Sequence, residues 1–196
     1  MVTARCTDDR TLARDPPKGA VDTCAIVSLF NAEFTITEHT ELRGGAVEPV
    51  YIPSQKAGEY SIIYFREDYI ASALHEVAHW CLAGAKRRRL EDYGYWYVPE
   101  RSSEQQRLFE QAEVKPQALE WLFSVACGHA FHVSRDHFGV QESTADFPRA
   151  VALQAQQWCA GEPLPSVGAQ FIRALSTYYQ TDNILQRAHY CETVVL

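Results

Sequence analysis

The sequence has no long hydrophobic run, no paired cysteines and no excess of positive charge, and each absence removes a class of function. No stretch approaches the about eighteen consecutive apolar residues of a membrane span, so no membrane association is expected. The first residues are polar, carry Pro16-Pro17 and lack the apolar centre of a secretory signal. A flexible extension is expected over residues 1–20, followed by one domain over 21–196. The six cysteines, Cys6, Cys24, Cys81, Cys127, Cys159 and Cys191, are scattered and form no C-x-x-C pair. Together with the missing signal, this points to buried free thiols in a cytoplasmic protein rather than a disulfide framework. The net charge of −7 argues against a general nucleic-acid binder. No repeat or interior linker divides the 196 residues, a length that supports a proper core.

Hydrophobic spacing predicts a mostly helical α+β domain with a small sheet. An amphipathic helix is expected over Val21–Phe34, with Val21, Ala25, Leu29 and Phe30 facing inward. Residues 35–42 can hold a short strand, and Gly44-Gly45 and 49–56 read as loop. The β-branched and aromatic run 59–65 reads as a strand. A helix over Tyr69–Ala83 follows, with Ile70, Ala73, Leu74, Val77, Ala78, Cys81 and Leu82 at helical spacing and Gly84 as its C-cap. The basic run Lys86-Arg87-Arg88-Arg89 comes next, then the aromatic stretch 93–99, read as extended. Ser102 or Ser103 caps a helix reaching Gly128, which Pro116 bends or splits. Residues 128–139 read as irregular, and helices are expected over Phe147–Ala160 and Ser166–Gln180. The last sixteen residues carry no clear pattern.

What is present is His75-Glu76-Val77-Ala78-His79. Histidines four apart on a helix lie one turn from each other on one face, so both imidazoles can hold one metal ion. The glutamate between them stands beside any water or substrate on that metal. This is the H-E-x-x-H pattern of zinc-dependent hydrolases. Its surroundings are largely apolar, where an unpaired imidazole is costly and a metal-bound one is not. The alternative is a helix with two incidental histidines. Cys81 follows His79 by two residues, points to another face and reads as a small core hydrophobe. The longer metzincin signature needs a glycine and a histidine soon after His79, and no histidine follows nearby. One reading of the motif is therefore a zinc-dependent hydrolase, a peptidase or ribonuclease, with Glu76 as general base. Another is a metal-stabilised binding module without catalysis.

A catalytic metal needs a third protein ligand and open positions. Glu110, Glu113 and Glu120 compete for that place on the 103–128 helix. Glu110 lies in the more polar half and is expected to face solvent. His129, His132 and His137 are rivals, although histidines in an irregular segment are more often surface residues.

Three segments carry a resemblance. Residues 71–81 around the histidine motif, Tyr93-Gly94-Tyr95-Trp96-Tyr97, and 113–123 from Glu113 to Phe123 are similar to the elongation factor P hydroxylase family. Residues 171–179 also match near that family's end, and the resemblance spans roughly 21–180 in the same order. It implies an iron-dependent hydroxylase acting on the β-lysylated lysine side chain of translation elongation factor P. It implies a two-histidine-one-carboxylate centre for Fe(II), with O2 as co-substrate, held by His75, His79 and Glu113. It also implies a zincin-like metal helix in a fold similar to a metal-dependent rRNA-maturation endoribonuclease. Glu76 keeps its place in the motif, though an oxygenase gives it no ready role.

Such a centre is chemically coherent, because ferrous iron can bind dioxygen beside a substrate whereas zinc is not redox-active. Tyr95, Trp96 and Tyr97 can line the path of a cationic side chain through cation–π contacts, or simply build a core face. The 86–89 run can steer the protein to an acidic partner, or serve as a solvated helix end. No 2-oxoglutarate clamp is recognisable; single arginines such as Arg135 or Arg173 are too common to argue from. The source of reductant therefore stays open. The polar extension before Val21 and the 129–147 segment depart from the family pattern, and neither touches the implied ligands.

Overall fold

A computed structural model describes residues 21–84, 86–91, 102–134 and 146–191. The extension 1–20, the aromatic stretch 93–99 with Tyr95, Trp96 and Tyr97, His137 and Arg135 lie outside the described residues. Among the described residues, five α-helices and a three-stranded sheet occur in the order α1 (Thr23–Phe34), β1 (Thr40–Ala46), β2 (Val50–Ile52), β3 (Ser61–Arg66), α2 (Ile70–Leu82), α3 (Ser103–Cys127), α4 (Asp146–Cys159) and α5 (Ser166–Tyr179). The class is α+β and mostly helical, as the hydrophobic periodicity predicts.

Helix α1 starts where Asp22 accepts a hydrogen bond from the Ala25 amide at 2.7 Å, satisfying a donor that the helix itself leaves open. It buries Ile26, Phe30 and Phe34, one turn apart. This face is rotated slightly from the predicted one, leaving Val21 and Leu29 partly buried at its margin. Asn31 brackets the edge strand β1: its Oδ1 accepts from the Leu42 amide at 2.8 Å and its Nδ2 donates to the Leu42 carbonyl at 3.3 Å. The edge is thereby closed to pairing at that residue.

In the sheet, β3 lies between β1, to which it is parallel, and β2, to which it is antiparallel. Two stretches expected to be loop belong to this sheet. Gly44 and Gly45 lie inside β1, at a register shift between Arg43 and Ala46. The shift needs glycine: Gly45 has φ of 85°, and a Cβ on Gly44 would stand 2.7 Å from Cζ of Phe65 and 3.0 Å from the Glu67 carbonyl oxygen. Val50–Ile52 forms β2, too short a strand to show an alternating pattern.

Glu67, in the left-handed region at φ of 45°, turns the chain from β3 into α2. Ser72 Oγ accepts from the Arg66 amide at 3.0 Å and ties the two together. Helix α2 buries Ala73, Leu74, Val77, Ala78, Trp80 and Cys81 between sheet and helices, close to the predicted face. Its C-cap is Ala83 in extended conformation, one residue short of the expected Gly84. Burial pushes the Cys81 thiol well up, consistent with a core residue.

Helix α3 is the axis of the molecule. A capping box of Ser102 and Gln105 starts it, and Gly128 at φ of 75° ends it. It runs unbroken through Pro116, so neither of two separate helices forms there. Every residue from Pro116 to Ser124 is buried, because α2, α4 and α5 pack around it. Glu110 is buried too, against the expectation of a solvent-facing carboxylate; Gln106 donates to it at 3.2 Å. Gln117 holds the following segment by exchanging hydrogen bonds with the Ser134 backbone at 2.9 and 3.1 Å. Phe131 then stacks on Trp121 at 4.9 Å, and Tyr190 packs edge-on to the same ring at 5.2 Å. No helix among the described residues is long and apolar enough to cross a membrane.

The crowding at Gly44 leads to a test. Gly44→Ala is expected to cost about 1–3 kcal/mol, because the Phe65 ring is buried and cannot swing clear. Gly84→Ala meets nothing within 4 Å and serves as the near-neutral control. Urea denaturation midpoints compare the two.

Candidate metal centre

The four-residue spacing puts His75 and His79 on the side of α2 that faces α3. Their rings meet edge-on with centroids 4.6 Å apart, and their Nε2 atoms approach to 2.9 Å. Glu113 reaches them from α3, with Oε2 3.5 Å from Nε2 of His75 and Oε1 3.3 Å from Nε2 of His79. These three form the one candidate metal-binding group among the described residues. The donor set fits a metal ion. Donors about 2.1 Å from one ion stand roughly 3–3.5 Å from each other, the spacing observed here. Glu113 is 3 % exposed, and its Oε2 is buried without a hydrogen-bond partner. A buried carboxylate oxygen left that way calls for a cation.

Glu120, the rival third ligand, is placed differently. Its Oε2 lies 2.8 Å from Nδ1 of His75, the ring nitrogen remote from His79. His129 is half-buried and His132 exposed, and neither belongs to the metal-binding group.

The cluster concentrates negative charge. Burial works against a charged His75, but the hydrogen bond to Glu120 and the charges of Glu120, Glu113 and Glu76 outweigh it and push its pKa up to about 10. Burial likewise opposes charge on Glu113. Its bond with His79, both nearby imidazoles and Gln117 nevertheless hold that carboxyl below the usual range. Burial raises Glu76 and Glu120, partly offset by the histidines.

The sign of the resulting pH dependence follows. Folding raises the His75 pKa above its ordinary 6.5, so its stabilising contribution in metal-free protein is complete below about pH 6.5 and is lost towards about pH 10. The raised carboxyls of Glu76 and Glu120 act in the same direction at lower pH. Denaturation of chelator-treated protein should show falling stability between pH 6.5 and 10, and His75→Gln should flatten that part of the profile.

A cavity of ≈ 370 Å³ opens beside the centre, lined by Glu76 and His79 from α2, Ala112, Lys115 and Pro116 from α3, and Tyr51 from β2, among others. Glu76 thus faces the space beside the candidate ligands. Pro116 has no N–H for the Ala112 carbonyl one turn earlier, and both residues border this cavity. The far wall is Arg88, whose place in a basic run gave no hint of a structural role. Its guanidinium lies 3.9 Å over the Trp80 ring, donates to the Trp80 carbonyl at 3.2 Å and pairs with Glu38 at 3.0 Å. Its own carbonyl accepts from the Tyr51 hydroxyl at 2.9 Å. Arg88 is therefore committed to the protein and is not a free steering charge. Arg88→Ala should lower stability by about 1–3 kcal/mol, and Arg88→Lys should recover only part of it; thermal denaturation with and without metal measures both.

Two histidines on α2 facing a buried carboxylate on α3, with a cavity alongside, make a group that could hold a metal ion. The sequence pattern of the elongation factor P hydroxylase family matches residues 29–190, which contain all three ligand candidates and Glu76. A Haemophilus influenzae protein named elongation factor P lysine hydroxylase is 41 % identical over 172 residues, covering 87 % of this chain and 96 % of that one. The chain belongs to the elongation factor P hydroxylase family. That membership sets aside the hydrolase reading of the same motif.

Proposed function

We infer that this chain hydroxylates a lysine of elongation factor P, and that it does so with ferrous iron held by His75, His79 and Glu113. Family membership carries the reaction. The observation that supports the metal is the convergence of two Nε2 atoms and a buried carboxylate, one of whose oxygens lacks a hydrogen-bond partner, from two packed helices. Ferrous iron held by these three residues would leave positions for dioxygen, the oxidant, and would activate it, one oxygen atom going to the lysine carbon and the other leaving as water with two electrons from the external reductant.

The protein's own residues do the rest. The two histidines and Glu113 fix where oxidation takes place. The cavity admits a long side chain beside His79, and its protein walls limit water around the reacting carbon. Glu76 borders that cavity and, with its carboxyl raised by burial, can hold or pass a proton next to the ligands. The proposed substrate is the lysine side chain already extended by a β-lysyl group. Tyr95, Trp96 and Tyr97 are proposed to receive this cationic chain through their ring faces. The packing of the metal helix is proposed to resemble that of zincin-type endoribonucleases. A role on a translation factor places the protein in the cytoplasm on this reading, with neither membrane nor nucleic acid as a direct partner.

Aerobic incubation with ferrous iron, a reductant and β-lysylated elongation factor P should add one oxygen atom to that protein, read by mass spectrometry. Zinc-loaded protein should add none, and Glu113→Ala should reduce the gain to background with loss of bound metal. No mass gain from the iron-loaded wild type would overturn the reaction. Full metal retention by Glu113→Ala would overturn the ligand assignment.

A further inference from the structure

We propose that Glu120 is a positioning residue for the metal centre, holding His75 in the tautomer and ring orientation that present Nε2 to the ion. The proposal rests on the metal-site reading above and deepens it.

An imidazole has one nitrogen on each edge. In His75, Nε2 faces His79 and Glu113, while Nδ1 faces Glu120 at 2.8 Å. Glu120 therefore stands behind the ring and cannot share the ion with Nε2 unless the ring turns over. A carboxylate at Nδ1 selects the form in which that nitrogen carries the proton and donates it, leaving the Nε2 lone pair free for a metal. The hydrogen bond also makes the imidazole a more basic ligand.

Glu120 is well placed to do this. It is 6 % exposed and sits seven residues after Glu113, two turns along the same face of α3. That part of α3 is enclosed on every side, so the carboxylate stands on a rigid support. One helix thereby supplies both the carboxylate proposed to ligate and the one proposed to orient the opposing histidine. The two carboxylates also match the charge of a divalent ion bound by two neutral imidazoles.

Cobalt(II) is the probe, because its visible absorption reports the ligand set and its titration reports affinity without dioxygen or substrate. Wild type, Glu120→Ala, Glu120→Gln and Glu113→Ala are compared, with circular dichroism as the check on folding. Glu120→Ala should bind cobalt about 10–100-fold more weakly with an unchanged spectrum. Glu113→Ala should change the spectrum itself. Glu120→Gln keeps an oxygen that accepts from Nδ1–H and should recover part of the affinity. In zinc-loaded protein, nitrogen NMR should find the His75 proton on Nδ1 in wild type and Glu120→Gln.

Wild-type affinity in folded Glu120→Ala overturns the proposal, as does a spectral change matching that of Glu113→Ala, which would make Glu120 a ligand. If Glu120→Ala does not fold, a His75 proton on Nε2 in the zinc-loaded wild type overturns it. Wild-type protein that takes up no cobalt overturns the metal centre as well. Absence of hydroxylation with normal cobalt results touches only the proposed reaction.

Discussion

The interaction on which the rest depends is a set of carboxylates and imidazoles taken out of water between two helices. Burying Glu113 and Glu120 is costly unless each meets a positive or hydrogen-bonding partner. His75 and His79 provide those partners across the α2–α3 interface. The pairing demands that α2 and α3 stand at fixed spacing and register. The apolar packing of Leu74, Val77 and Ala78 between the sheet and α3 supplies that rigidity. Polar chemistry and apolar core are thus two faces of one contact: the same helix turn that buries Val77 presents His75 and His79 on its other side.

Much of this was legible in the chain. The 3.6-residue period and the four-residue spacing of the histidines placed α2 and set both imidazoles on one face, and Glu113, named through the family pattern, lies against them. Other features were hidden for physical reasons. Glu110 sits among polar neighbours in sequence, and a local pattern does not report the burial that the folded protein gives it. Gly44-Gly45 reads as a turn because nothing local shows the Phe65 ring that fills the space above it. The seven-residue interval from Glu113 to Glu120 was visible, yet interval alone does not tell which imidazole nitrogen a carboxylate meets. In the middle of α3 the polar face of Glu113, Gln117, Glu120 and Ser124 is itself buried, so polarity there does not mark the solvent side.

Arg88 shows a different way in which sequence misleads. Within Lys86-Arg87-Arg88-Arg89 it looks like one charge among several. Its guanidinium nevertheless joins Trp80 and Glu38, parts of the molecule on either side of the sheet in sequence, while its carbonyl receives Tyr51. The cavity wall is held by a flat guanidinium that lies over the Trp80 ring while it donates hydrogen bonds from its edge, a geometry lysine's ammonium cannot copy. The surface beside the metal centre is accordingly a built wall and not a loosely held fringe of charge.

The residues of the candidate metal group are separated along the chain, with the histidines on α2 and Glu113 thirty-odd positions later on α3. During synthesis the ribosome releases the N-terminal half first. At that moment the histidine helix exists without the acids that complete it, and its inner face, made for α3, has nothing to pack on. Until α3 docks, the two histidines lack the buried carboxylates that face them in the folded protein. On the metal reading proposed above, a complete set of donors would exist only once α3 has docked.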